Sequence, residues 1–290
     1  MARPAPAPWA GGRVRPAVPA SPPVVLAGLL AAVFLLLALL GPMLAPHDPL
    51  AVDLAHRFAP ASLLHPLGTD HLGRDILSRL VAGARTTLGA VLAVLTIVAA
   101  LGLAVGGLAG MLGGRIDTAL MRLCDVFLTV PTFVLALFMI GALGTGLANV
   151  VAAIALSHWA WYARIVRGLV LELKTRDYVL AARIAGAPRR AIFSEHILPG
   201  VVPPLAALAT LDIGHMALHV AGLSFLGLGV QPPTPEWGVM INDARAFFWT
   251  RPLLVVWPGL AIALAVLAFN RLGDALRDRL DPALTAERGL

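Results

Sequence analysis

Asp212, His215 and His219 stand three and four residues apart inside LDIGHMALHV, residues 211–220. In a helix those offsets line three side chains along one face. A carboxylate and two imidazoles at that pitch make an oxygen-and-nitrogen donor set that suits nickel, zinc or copper rather than calcium. No other side chain between residues 197 and 235 ionises, so the three interrupt a long apolar run. An ionised Asp near a bilayer centre costs about 2.5–3.5 kcal/mol, so Asp212 must face protein or a water-filled path. His158, in ALSHWAWYAR (155–164), is a fourth candidate for the same path, near the inner end of the preceding apolar stretch. The pattern admits two readings: imidazoles that act as transient metal ligands, chiefly His215 and His219, or polar groups that bridge neighbouring helices. A third, a zinc metalloenzyme built on Asp212, His215 and His219, would need a general base and a water-accessible cavity. Met216 beside the stripe reads as packing.

The elements that must position these residues are set by composition. Of 290 residues 59% are hydrophobic and 13% charged, where a soluble domain carries about a quarter charged. This is the profile of an all-α integral membrane protein. The net charge of +6 falls in short segments between apolar runs, which points to membrane topology and away from nucleic acid. Cys124 is the single cysteine, so an intrachain disulfide and a cysteine metal cage are excluded.

Residues 1–23, rich in Pro and Ala, read as a disordered tail. The charge-free stretch 24–43 is longer than the about 7–15 residues of a signal-peptide core and reads as an uncleaved first span. A charge-free run from Thr86 to Gly114 gives the second span. Val126 to Ala163 is also charge-free and too long for one crossing; GALGTGLAN (141–149) divides it into the third and fourth. Leu198 to about Val230 holds the fifth and Leu253 to Asn270 the sixth. Six spans place both termini on one side. With the N-terminus inside, 16 Lys and Arg fall on the inner side and 6 on the outer, so both termini are expected in the cytoplasm. The expected layout is an outer segment over 44–85, a five-helix core over 86–272 and a cytoplasmic tail over 273–290. In the outer segment Asp70 is expected to cap a helix running from His71 towards Arg85. Its four Arg and four Asp (Arg57, Arg74, Arg79, Arg85; Asp48, Asp53, Asp70, Asp75) are expected to be mostly solvated.

The inner stretch 175–196 predicts a short helix capped by Thr175 or Asp177, with a small face of Ala181, Ala182 and Ala185. Gly186 suits the left-handed turn that ends it and Pro188 the first turn of the next helix. Small side chains let a partner approach, and Arg183, Arg189 and Arg190 can pair with acids around it.

AAxxxG at Ala181, Ala182 and Gly186, followed by Ile192, Leu198 and Pro199, resembles the cytoplasmic loop of permease subunits of bacterial ABC importers; Leu180 stands where the family often has Glu. HPLGTDHLGRDILSR (65–79) and FLGLGVQPPTPEWGVMINDAR (225–245) resemble the dipeptide, oligopeptide and nickel subclass, and the likeness runs over roughly residues 22–284. Peptide permeases share the surroundings of LDIG. The combination of ALSHWAWYAR with LATLDIGHMALHVAGLSFLGLG resembles the nickel permeases of that subclass. The resemblance implies a type I importer permease of the bacterial cytoplasmic membrane, contacting lipid and pairing with a second permease, two ATPase subunits and an extracytoplasmic binding protein. It implies nickel as substrate, coupling to the ATPases through Ala181, Ala182, Arg183 and Gly186, and a path past Asp212, His215, His219 and His158. A dipeptide or oligopeptide permease is the alternative. No GxxxxGK[ST], HExxH or GxSxG motif is present, so ATP chemistry is expected on the partners and no cofactor in this chain.

Overall fold

A computed structural model describes residues 22–280; the first 21 residues of the expected tail over 1–23 and the last ten residues lie outside it. Every extended regular element among the described residues is helical. The first span is α1 (Pro22–Leu44). A long segment then leads to α2 (Ile76–Leu112). Asp75 caps α2 by accepting from the Ser78 amide at 2.7 Å. Its C-terminus is closed by Lys174, whose Nζ donates to the carbonyls of Gly110 at 2.7 Å and Met111 at 3.2 Å. Burial lowers the Lys174 pKa, with Arg183 and Arg189 adding to it.

This corrects the expected helix start at His71. Gly73 adopts φ +76°, and a Cβ there would lie 1.7 Å from the Asp53 carbonyl oxygen. The chain turns at Gly73, and the helix can begin only beyond it. The last turns of the expected outer segment and the second span are therefore one continuous helix.

The third span departs further. α3 (Gly114–Thr129) and α4 (Thr132–Leu143) meet at 87°. Val130 precedes Pro131, and the proline ring excludes the helical conformation from the residue before it; Val130 is extended, with φ −99° and ψ 128°. A straight span from Val126 is thus replaced by a sharply bent pair. Gly144 and Gly146, both at positive φ, make the expected break before α5 (Leu147–Leu173). α6 (Asp177–Ile184) ends at Gly186, φ +82°, as expected. Then α7 (Arg189–Ala191) passes through a π-helical turn over Ile192–Ile197 into α8 (Leu198–Phe225). The chain closes with α9 (Trp237–Ala244) and α10 (Leu253–Leu280). α10 continues well past the expected end of the sixth span.

By length and composition four described helices can cross a membrane, five if the bent pair counts as one span. α5 stands where the expected order has its fourth span. Its 27 residues are long enough, but Asn149, His158, Arg164 and Arg167 dilute its apolarity.

α5 packs on α2 through a run of small residues. Gly102, Gly106 and Gly110 recur every fourth residue, where helices in lipid approach closely. A Cβ at Gly102 would lie 2.5 Å from the Tyr162 Cβ, at Gly106 2.2 Å from the Ala163 carbonyl oxygen, and at Gly110 2.7 Å from Val170. The outer segment is anchored by charge instead. Arg74 donates to Asp70 at 2.7 Å and to Asp243 at 3.2 Å, and Arg79 reaches Asp243 at 3.4 Å. Arg74, Arg79, Asp70 and Asp75 are all buried, which overturns the solvated reading for half of that charge set. Each charge finds an opposite partner or a cap, so it can leave water. Beside them Glu236 is fully buried, accepting from Thr87 at 3.0 Å and from the Val239 amide at 2.9 Å. Burial raises its carboxyl above the ordinary Glu range against those hydrogen bonds.

Gly106→Leu is expected to destabilise the chain by at least about 3 kcal/mol, because backbone must move to admit the side chain. Gly89→Leu on the same helix, where a Cβ meets nothing within 4 Å, should leave stability unchanged. Unfolding midpoints of the two variants in one detergent check this.

Candidate functional site

Asp212 lies half-way along α8 and is 5% exposed. α5 crosses it and presents His158 and Tyr162, which one helical turn of spacing puts on the same face. Tyr162 donates its hydroxyl to Asp212 Oδ2 at 3.1 Å, and His158 Nε2 lies 3.0 Å from the same oxygen. A carboxylate only accepts, so this pairing sets the His158 proton on Nε2. Both lone pairs of Oδ2 are then used.

Oδ1 remains, with His215 Nδ1 3.5 Å away. That is too long for a strong hydrogen bond, and the His215 side chain is 74% exposed. His219, half-buried, places Nδ1 2.8 Å from the His215 carbonyl oxygen; the carbonyl accepts, so Nδ1 carries the proton and Nε2 is left with a lone pair. Phe133 of α4 stands beside it, ring centroids 6.2 Å apart.

The expected stripe therefore divides. Asp212 and His158 form one buried cross-helix pair, with Tyr162 as third member. His215 and His219 lie along α8 on its open side, offering one carboxylate oxygen and two imidazoles in succession rather than a closed cage. His158 is near the middle of α5, not at the inner end of a span as expected, because α5 runs on to Leu173. Met216 is fully buried, in keeping with its packing role. Sequence reasoning missed Tyr162; the signal was its offset of four from His158, which identifies a second donor aimed at the same acceptor.

At the other end of α8 the loop 175–196 holds the expected helix-turn-helix. Val179 is buried and faces the π-helical turn, and the Tyr178 hydroxyl lies 3.4 Å from the His196 carbonyl. Ala181, Arg183, Ala185 and Gly186 are exposed and Ala182 is half-buried. Two larger apolar side chains share that face, Leu180 at 39% and Ile184 at 88% exposure. The small face is flanked by apolar surface as well as by arginines.

Residues 102–286 match the family described as binding-protein-dependent transport system inner membrane component. The chain belongs to that family: it is a membrane-spanning permease component, and its relatives are permease subunits rather than enzymes. Over 264 residues it is 58% identical to the nickel transport system permease protein NikC of Escherichia coli K12, covering 91% of this chain and 95% of that one. It is 40% identical over 262 residues to the probable D,D-dipeptide transport system permease protein DdpC of the same strain, covering 90% and 88%. With the glutathione transport system permease protein GsiD of Escherichia coli O157:H7 it shares 46% over 223 residues, covering 77% and 74%.

Tyr162→Phe removes one donor from a buried carboxylate and is expected to cost about 1.5–3 kcal/mol. Asp212→Ala should cost more, because it strips both Tyr162 and His158 of their acceptor. Chemical unfolding of the purified variants in lipid nanodiscs measures the order.

Proposed function

We propose that this chain is the nickel-translocating permease subunit of an ATP-driven importer, carrying the ion or a small chelate. The observation that carries the reading is 58% identity with a nickel permease across 91% of the chain, against 40% and 46% for the dipeptide and glutathione relatives. The geometry of α8 supports it. Oδ1 of Asp212, His215 and His219 are exchangeable donors strung along one helix, and transit requires contacts weak enough to release the ion. The Tyr162–Asp212–His158 pairing would keep the carboxylate turned towards that line.

The working assembly would hold a second permease against the open side of α8, two ATPase subunits at the 175–196 loop and an extracytoplasmic binding protein at the outer segment. The asymmetry of 16 inner against 6 outer basic residues supports cytoplasmic termini. ATPase closure would move α6. The motion would pass through Val179 to the turn over 192–197 and so to α8. Asp212 sits 14 residues beyond Leu198, about 21 Å along the axis, so a tilt at the loop displaces the path directly. Ala181, Ala182, Arg183 and Gly186 are the contact residues of this coupling.

In cells carrying the full transporter, His215→Ala/His219→Ala is expected to lower radioactive nickel uptake at least tenfold at equal membrane levels. Unchanged uptake would reduce both histidines to surface residues of the helix, and peptide uptake without nickel uptake in the parent would assign the chain to the peptide branch. Gly186→Val forces a β-branched residue into positive φ, strain of about 1–3 kcal/mol. It should abolish transport while ATP hydrolysis continues, whereas Gly186→Asn, which tolerates that conformation, should transport. Paired uptake and ATPase assays separate the two.

A further inference from the structure

Apart from the α8 line, a second set of metal-type donors occurs in the segment between α1 and α2. Among the described residues His47, His65 and Asp75 are the one set of three whose candidate ligand atoms all lie within 4.8 Å of each other. His65 Nδ1 is 3.0 Å from Asp75 Oδ1, and His47 Nδ1 is 3.8 Å from Asp75 Oδ2. The two rings face each other with centroids 4.9 Å apart.

Two features separate this cluster from an ordinary helix cap. The first is that His47 Nδ1 is buried and has no hydrogen-bond partner, although the side chain as a whole is 34% exposed. Buried polar atoms in native structures are nearly always satisfied, so an orphan imidazole nitrogen beside a carboxylate needs an explanation. The second is that the capping duty of Asp75 falls on one oxygen. Oδ2 accepts from the Ser78 amide and hydroxyl, both at 2.7 Å, whereas His65 alone engages Oδ1. Oδ1 thus retains a lone pair that an ion can take without breaking the cap. Ser78 also fixes the neighbour, because the His47 amide donates to its hydroxyl at 2.9 Å. Asp75 and the His47 backbone are thus held before any ligand arrives.

We propose that His47 Nδ1, His65 Nδ1 and Asp75 Oδ1 bind a divalent transition metal, with water completing the coordination on the open side of His47. Two imidazole nitrogens and one carboxylate oxygen suit nickel or zinc. Metal binding shifts the His65 proton from Nδ1, where it bonds Asp75 Oδ1, to Nε2, so that the Nδ1 lone pair is free for the ion. A metal–nitrogen bond of about 2.1 Å holds ligand atoms no more than about 4.2 Å apart. The candidate ligand atoms lie within 4.8 Å of one another, so binding would draw them together by a few tenths of an ångström. His56, whose ring lies 6.4 Å from that of His65, continues the row towards solvent. Use of the site as the first station for incoming metal rests on the nickel reading and on an outer position for this segment; binding itself does not.

The test is equilibrium binding of Ni²⁺ alone to the full-length chain in nanodiscs. The background is His215→Ala/His219→Ala, so that the α8 line contributes nothing. One ion per chain is expected. His47→Ala should weaken it at least tenfold, as should His65→Asn, which keeps a donor for Asp75 but removes the imidazole. Neither variant should shift the metal-free unfolding midpoint of its background. X-ray absorption at the nickel edge should show imidazole ligands that each variant reduces. Absence of binding, or binding indifferent to both substitutions, would overturn the site. His47-dependent binding in a transporter that moves peptides and no nickel would uphold the site and overturn the nickel function. Nickel uptake with no His47-dependent binding would do the reverse.

Discussion

The approach of α2 to α5 is the constraint on which the polar centre depends. Tyr162 reaches Asp212 only because Gly102 leaves its Cβ no obstacle; a methyl group on α2 would stand 2.5 Å from it. The same run of glycines seats Ala163 and Val170 at successive turns, so the rotation of α5 about its axis is fixed over most of its length. That rotation decides which α5 residues meet α8. A small change of it would carry His158 and Tyr162 away from the carboxylate together and leave Asp212 buried without donors, a costly state at membrane depth. Close apolar packing and the polar pairing are therefore one requirement expressed on two faces of α5.

The end where α2 begins uses another principle for the same purpose. There the segment before α2 and the helix α9 are far apart in sequence, and Arg74, Arg79, Asp70 and Asp243 join them in a buried network. Each arginine is shared between two carboxylates, so no single contact holds the junction. Glu236 adds a link through Thr87. Such an arrangement is directional: it specifies one register between the two segments, where an apolar contact would tolerate sliding.

Much of this was legible in the residues. Charge-free runs located the spans, Gly144 and Gly146 marked the break before α5, and Gly186 marked the end of α6, because each of these signals is local. The failures share a cause as well. Charge in 44–85 looked solvated because burial of Arg74 and Arg79 depends on Asp243, about 165 residues away, and no window along the chain contains both. Asp70 resembled a helix cap because Gly73 conflicts with helix only once Asp53 is packed against it. The bend at Pro131 was available from the sequence, since the residue before proline resists helix, but the apolarity of the run outweighed it. At the site, spacing found Asp212, His215 and His219 as one face. It could not separate the buried carboxylate from the more open imidazoles, a distinction made by α5.

These unequal anchors indicate which part of α8 is free to move. Beyond Asp212 the helix packs against α9 and the charged network holds the outer end. Before Asp212 the backbone is weaker. Pro203 and Pro204 have no amide to donate, so the carbonyls of Pro199 and Gly200 lose their usual helical partners, and a π-helical turn immediately precedes them. A helix missing consecutive hydrogen bonds bends there at lower cost than elsewhere. In the proposed mechanism a displacement entering through α6 and Val179 would meet this compliant stretch first and the Tyr162–Asp212–His158 pairing next. The pairing offers two donors to one oxygen, so it can hold Oδ2 while Oδ1 and the imidazoles beyond it turn with the helix. In the proposed path the carboxylate would pivot about the held Oδ2 and carry Oδ1 with the turning helix.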